Sequence, residues 1–211
     1  MAELILFGIL VSTIMMVIAK RAPALIQSFR FQSFFLFCAT LVVALKEKQA
    51  DLFVVAGLLL CLKVYFVPFL LNRMVKRIKT SEDLGLFVNA QLSLLWVLGF
   101  TYLSWRFARV VLPSSGGLPV ILMAASFSVV LVGMFLMASR MTALAQIVGI
   151  LVMENGLFLL ASSVAGGMPF FVEIAIFFDV FVSVIILGVF VYRINKLFTH
   201  IDVNKLSRLR G

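Results

Sequence analysis

Histidine occurs once and cysteine twice in this 211-residue chain. It has no Gly-rich phosphate loop, no Cys/His metal set and no Ser-His-Asp constellation. Those absences exclude the usual nucleotide-binding and hydrolytic chemistries, and no residue is assigned a catalytic role. The lone histidine, His200, argues against haem or metal ligation within the chain. It lies beyond the last apolar run and is expected in solvent. Cys38 and Cys61 sit in separate apolar runs without a CxxC partner. They are read as small buried hydrophobes rather than redox or metal groups. Acids are scarce as well, with nine Asp and Glu against eighteen Lys and Arg. Low-complexity tracts and obvious repeats are absent. The opening stretch, "MAELILFGILVSTIMMVIAKRA", has no basic region ahead of its apolar run. That fits a first membrane helix better than a cleaved signal peptide.

What fills the chain instead is apolar surface. Hydrophobic residues make up 64% of it, against roughly 45–50% in soluble domains. The composition predicts a polytopic membrane protein with little mass outside the bilayer. A net charge of +9 would suit nucleic acid, but the basic residues cluster between apolar runs, which favours a membrane and no nucleic acid. A helix needs ~20 apolar residues to cross a bilayer. Seven such runs occur, at about 2–19, 31–45, 52–72, 85–105, 118–138, 142–164 and 169–192. The predicted fold is therefore all-α, a bundle of seven transmembrane helices. The turn-rich "LPSSGGLP" (Leu112 to Pro119) predicts a boundary between a four-helix region, 1–112, and a three-helix region, 113–211, ending in a short cytoplasmic tail.

Loop charges predict the orientation. Thirteen Lys and Arg fall after the odd-numbered runs, Arg30 and Arg140 among them, and four (Lys46, Lys48, Arg106 and Arg109) on the other side. The positive-inside rule then places the N-terminus outside and the C-terminus in the cytoplasm. Arg140 reads as a marker of the cytoplasmic interface.

Four charged residues lie within the runs: Lys63, Glu154, Glu173 and Asp179. An ionised Asp or Lys at mid-membrane costs about 2.5–3.5 kcal/mol on insertion scales, so each is a candidate functional group. At 1.5 Å per residue, Glu154 and Asp179 lie roughly 20 Å from the cytoplasmic ends of consecutive antiparallel helices, Lys63 lies about 14 Å in, and Glu173 is nearer the outer face. Glu154 sits among Ile150, Leu151, Leu157 and Phe158 in "QIVGILVMENGLFLLA". An apolar setting favours the neutral acid, and an acid able to be neutral or charged near pH 7 suits a proton carrier. Pro68, in "LKVYFVPFL", cannot donate to the Val64 carbonyl, so a kink with a local polar opening is expected beside Lys63. Other readings stay open at this stage. Glu154 or Asp179 could be static glue paired with Lys63 or with Ser, Asn or Gln across helices. Glu173 could be an interfacial acid. The stripe Gln146, Gly149, Met153 and Gly156 reads as a helix-packing face.

Taken together, "SRMTALAQIVGILVMENG" (Ser139 to Gly156), "VEIAIFFD" (Val172 to Asp179) and "HIDVNKLSRLRG" (His200 to Gly211) resemble component E of hydrogenase-4. "LKVYFVPFL" is similar to that family's third helix. The last three helices also resemble the K subunit of respiratory complex I and the C subunit of multi-subunit sodium/proton antiporters. Glu154 matches the first membrane glutamate of the K subunit. Asp179 matches the second, shortened by one methylene. The resemblance implies a subunit of a complex I-like, hydrogenase-4-type assembly in a bacterial or archaeal cytoplasmic membrane. It implies neighbours of two kinds, antiporter-like membrane subunits and a quinone- or hydrogenase-proximal membrane subunit. Redox chemistry, with any nickel–iron and iron–sulfur centres, would sit on partner subunits, and this chain would hold no cofactor. Glu154, Asp179, Glu173 and Lys63 would serve a proton or sodium path. The rival expectations are a stand-alone ion-coupled transporter and a purely structural membrane adaptor.

Overall fold

The computed structural model describes residues 2–48, 50–78, 89–113 and 116–164. Among the described residues there is no strand. The helices are α1 (Ala2–Ile18), α2 (Ala22–Glu47), α3 (Ala50–Leu58), a π-helical segment (Leu59–Phe66), α4 (Val67–Ile78), α5 (Ala90–Val111), α6 (Leu118–Ser139) and α7 (Ala143–Val164). The stretch α3–π–α4 is one continuous rod. Among the described residues the runs at 2–19, 31–45, 52–72, 118–138 and 142–164 are thus helical, as is the run at 85–105 from Ala90 onward, and the run at 169–192 lies outside the described residues.

Among the described residues, four helical stretches are long and apolar enough to cross a membrane: Ala22–Glu47, Ala50–Lys76, Leu118–Ser139 and Ala143–Ala161. The chain is a helical membrane protein. Helix α1 is apolar but has only 17 residues. Helix α5 has the length but carries Gln91, Ser93, Thr101, Ser104, Arg106 and Arg109. Large apolar side chains cover much of the outside, for instance Phe7, Leu95, Leu98 and Tyr102. Such a surface suits lipid or neighbouring subunits rather than water.

The second helix begins at Ala22, well before the expected residue 31. Pro23 occupies the first turn, where its missing N–H is no loss and its fixed φ suits the helix. A search for unbroken apolar residues passes over Gln27, Ser28 and Arg30, which this turn nevertheless makes helical. Arg30 is consequently no loop charge. Its guanidinium lies over the Tyr65 ring, 5.3 Å from the centroid. Helix α2 ends at Lys48, which is left-handed (φ 53°) and returns its N–H to the Ala44 carbonyl.

In the rod, Pro68 lacks an N–H and its ring would press on the carbonyl four residues back. The helix meets this by widening. The Val67 N–H reaches the Leu62 carbonyl, five residues back, which is π-helical bonding. The expected disturbance is a widened turn. It buries Leu59, Lys63 and Val64 and leaves Cys61 exposed. Cys61 is therefore not the buried hydrophobe expected of it, because the wider turn points it outward; Cys38 is half-buried.

Helices α6 and α7 pack backbone to backbone. A Cβ added at Gly133 would lie 2.6 Å from the Met153 amide nitrogen, and one at Gly149 would lie 2.8 Å from that of Met137. At Gly156 the nearest atom would be the Val130 amide nitrogen, at 2.7 Å. Two members of the glycine-bearing stripe thus let the helices touch. Helix α1 packs on α2, α5 and α6, while α2 packs on the rod and on α7. One apolar core, including Ile9, Leu25, Phe29, Leu36, Leu71, Leu136 and Leu151, runs through all of these helices.

Arg140 is buried within the bundle rather than open to solvent. It is 2% exposed. Its Nη2 donates to the Val17 carbonyl at 2.7 Å and, at 3.4 Å, to that of Met16. These are last-turn carbonyls of α1, which have no partner within their own helix. Burial pushes the Arg140 guanidinium below its ordinary pKa. Arginine starts so high that it stays charged, and it faces the negative end of the α1 dipole.

Candidate functional site

Polar side chains inside an apolar bundle must find partners among themselves, since an unbonded buried amide or charge is costly. Many hydroxyls here solve this locally. Ser12, Thr13, Ser28, Thr40, Thr101 and Ser126 each donate to a carbonyl three or four residues earlier in their own helix. Lys63, Asn155 and Gln32 bond to side chains on other helices, and Glu154 faces Lys63. They meet where the π segment, α7 and α2 cross.

At this crossing Lys63 is 2% exposed, Glu154 3%, Asn155 2% and Gln32 0%. Lys63 Nζ lies 3.6 Å from Glu154 Oε2. It donates a 2.9 Å hydrogen bond to Asn155 Oδ1. Asn155 Nδ2 donates to Gln32 Oε1 at 3.0 Å and, more weakly, to Ser33 Oγ at 3.4 Å. Gln32 Nε2 donates to Thr13 Oγ1 at 2.7 Å. The Thr13 hydroxyl donates to the Ile9 carbonyl at 2.7 Å. A polar line thus runs from the α7–π contact through α2 into α1.

Each position has a local cause. Buried positions in the rod recur every four residues, at Leu59, Lys63, Val67 and Leu71, and the widened turn keeps Lys63 on that inward row. The glycines of α7 hold its other face against α6 and leave Glu154 and Asn155 toward the π segment and α2. Leu151 and Phe158, one turn either side of Glu154, are buried. The carboxylate therefore faces a cation beside buried apolar side chains, where charge interactions are stronger than in water.

Of the sequence-predicted residues, the structure brings Lys63 and Glu154 together. Pro68 is buried just beyond the π segment. Glu173, Asp179 and His200 lie outside the described residues. The sequence reasoning left out Asn155, Gln32, Ser33 and Thr13. Asn155 and Gln32 carried a usable signal, since an amide inside an apolar helix needs a partner from another helix. Among the described residues, no cluster of three or more His, Cys, Asp or Glu could share a metal ion. Chemically, the arrangement can hold a buried charge pair, and its acid could bind or release a proton.

No protein-family model matches the chain, and no solved structure matches it. Curated relatives do. The chain is 29% identical over 194 residues to hydrogenase-4 component E of Escherichia coli K12, covering 88% of this chain and 89% of that protein. The component of the same name from Shigella flexneri shows the same identity and coverage. An uncharacterized protein of Mycobacterium tuberculosis is 28% identical over 204 residues, or 96% of this chain and 93% of that one.

Proposed function

We propose that the chain is an integral subunit of a hydrogenase-4-type, complex I-like membrane assembly, and that Glu154 is a proton-carrying acid governed by the Lys63 ammonium. The observation that carries this reading is the Lys63–Glu154 pair, 3.6 Å apart and almost wholly buried among membrane-length helices. A bilayer interior disfavours such charges strongly, and they persist mainly where they serve an ion path or a fixed pairing. Likeness to hydrogenase-4 component E over 88% of the chain supports the assembly.

In this reading the chain crosses a bacterial cytoplasmic membrane seven times, with its N-terminus outside and its C-terminus in the cytoplasm. Regions 1–112 and 113–211 form one membrane unit. Asp179 continues the path on the last helix, and Glu173 serves its outer end. Antiporter-like subunits and a hydrogenase-proximal subunit flank the chain, and redox centres belong to those neighbours. Proton transfer works by neutralising and restoring the Glu154 charge while the ammonium stays beside it.

A second reading has its own observation. Lys63 is also bonded to Asn155 at 2.9 Å, as a purely structural clamp would be. One experiment separates the two. Glu154→Gln keeps shape and hydrogen bonding but cannot titrate. Ion translocation is measured in proteoliposomes holding the co-purified complex, normalised to assembled complex and to redox turnover. The proton-carrier reading expects translocation to collapse while assembly survives. Translocation that persists at the native level in Glu154→Gln assigns the pair to structure alone.

A further inference from the structure

Charge is divided unevenly between the two ends of this bundle. Besides the buried Glu154, the acids among the described residues are Glu3, Glu47 and Asp51. They stand where α1 begins and where α2 gives way to α3. The opposite end, where α2 begins and α4 runs out, carries cations. Lys20, Arg21, Arg73 and Lys76 are all exposed there. Among the described residues the one ion pair is Lys63 with Glu154, so no acid answers these cations. Only residues 48 and 49 separate α2 from α3. The rod therefore returns antiparallel along α2, and each of its three parts touches that helix. Arg30 marks where their outer edges meet. It lies eight residues inside α2, about 12 Å from Ala22 along the axis. Arg30 and Tyr65 are both exposed, and the guanidinium lies over the ring, 5.3 Å from its centroid. Holding a guanidinium by a ring fixes the charge and leaves N–H donors available to an oxygen ligand.

From this contact both helices run toward the basic end. Arg21 lies nine residues before Arg30, and Arg73 eight residues after Tyr65, so each is about 12–14 Å further along its axis. On the rod, Phe69 and Asn72 are exposed between Tyr65 and Arg73, at helical spacing. The outer face thus passes from aromatic rings to cations, in the order in which a lipid passes from acyl chain to headgroup. We propose that this face binds an anionic glycerophospholipid. Arg21 and Arg73 take its phosphate, Arg30 reaches the glycerol-ester oxygens a level deeper, and the acyl chains lie along Tyr65 and Phe69. Phosphate suits arginine, whose planar fork bonds it through two donors. Basic sites between membrane helices favour anionic headgroups, each cation near the surface contributing about 1 kcal/mol. The site asks only for a helical bundle in a bilayer and stands apart from the reading of Glu154.

The test is photolabelling of the full chain in its co-purified complex in mild detergent. The probe is phosphatidylglycerol with a diazirine in one acyl chain, and labelled peptides are mapped by mass spectrometry. Label is expected on the stretch from Tyr65 to Phe69. Unlabelled phosphatidylglycerol should compete about tenfold better than phosphatidylcholine. Arg30→Gln and Arg73→Gln should each weaken labelling about tenfold. Both residues are exposed, and Arg73→Gln serves where Arg30→Gln fails to assemble. Tyr65→Leu should weaken labelling about two- to fivefold, whereas Tyr65→Phe keeps the ring face and labels like the native chain. An unlabelled face in the native complex means that a neighbouring subunit or another segment of this chain covers it, and overturns the proposal. So does labelling indifferent to both Arg30→Gln and Arg73→Gln, or phosphatidylcholine that competes as well as phosphatidylglycerol. Inorganic phosphate that displaces the probe as well as the lipid does marks a site for free anions and overturns it equally.

Discussion

Adding a single methyl group should act with opposite sign at different glycines of this bundle. At Gly133 an alanine Cβ would stand 2.6 Å from the Met153 amide nitrogen and 2.9 Å from its Cα. Ordinary contact begins at 3.4 Å, so the gap to be made is about 0.8 Å, and it must come from backbone. Helix α7 cannot yield locally without losing its own ladder, so the two helices must part. Overpacking of this kind costs typically 1–3 kcal/mol. Gly149→Ala faces the same obstacle at the Met137 backbone, and Gly156→Ala at the Val130 backbone. Gly57 in α3 and Gly99 in α5 have nothing within 4 Å of the added atom. There alanine gains helix propensity, about 1 kcal/mol. Unfolding by sodium dodecyl sulfate titration in mixed micelles, followed by tryptophan fluorescence, reads both effects. We expect lower midpoints for the three seam glycines and unchanged or higher midpoints for Gly57→Ala and Gly99→Ala. If Gly133→Ala and Gly99→Ala shift the midpoint alike, the close backbone contact between α6 and α7 is wrong.

Lys63→Met should destabilise the bundle by about 3–5 kcal/mol, because it strips Glu154 of its buried cation. Lys63→Met combined with Glu154→Gln should recover at least half of that loss in the same titration, and additive losses would refute direct pairing. Gly117, the residue capping α6, has φ +70° and ψ −133° with open space around it. Gly117→Ala should therefore cost about 1–3 kcal/mol through the backbone alone, whereas Gly116→Ala in the same turn should cost little; equal effects would contradict the assigned dihedrals.

The apolar runs made most helices legible, because a bilayer forces length and composition on any segment that spans it. Lys63 and Glu154 were legible as costly residues, yet nothing local says that they meet. Their meeting depends on the rod and α7 both packing against α2. Pro68 announced a disturbance, but a missing N–H can be met by a kink, a break or a wider turn, and tertiary packing chooses among them. Cys61 was misjudged for that reason. Thr13 was invisible for a different one. Its bond to the Ile9 carbonyl is the same kind that Thr40 makes to Leu36, and hydroxyls in helices do this routinely. Only the Gln32 amide arriving from α2 distinguishes it. Arg140 stands between two apolar runs like any loop charge, and its burial follows from the carbonyls that it caps on a helix far back in the chain.

That cap has a consequence for biosynthesis. Val17 and Arg140 are 123 residues apart, and so are Gln32 and Asn155. A ribosome making about 5–20 residues per second needs roughly 6–25 s to cover that distance. During that interval the end of α1 and the amide of Gln32 are already made, while the groups that complete them have not been synthesised. The first helices are therefore held as an unfinished half until the α6–α7 hairpin arrives, and its docking completes the cap on α1 and the Gln32 contact inside the bundle together. A nascent chain arrested before Arg140 should be cleared by membrane proteases faster than one arrested after α7, and pulse-chase labelling of the two arrested chains measures the difference.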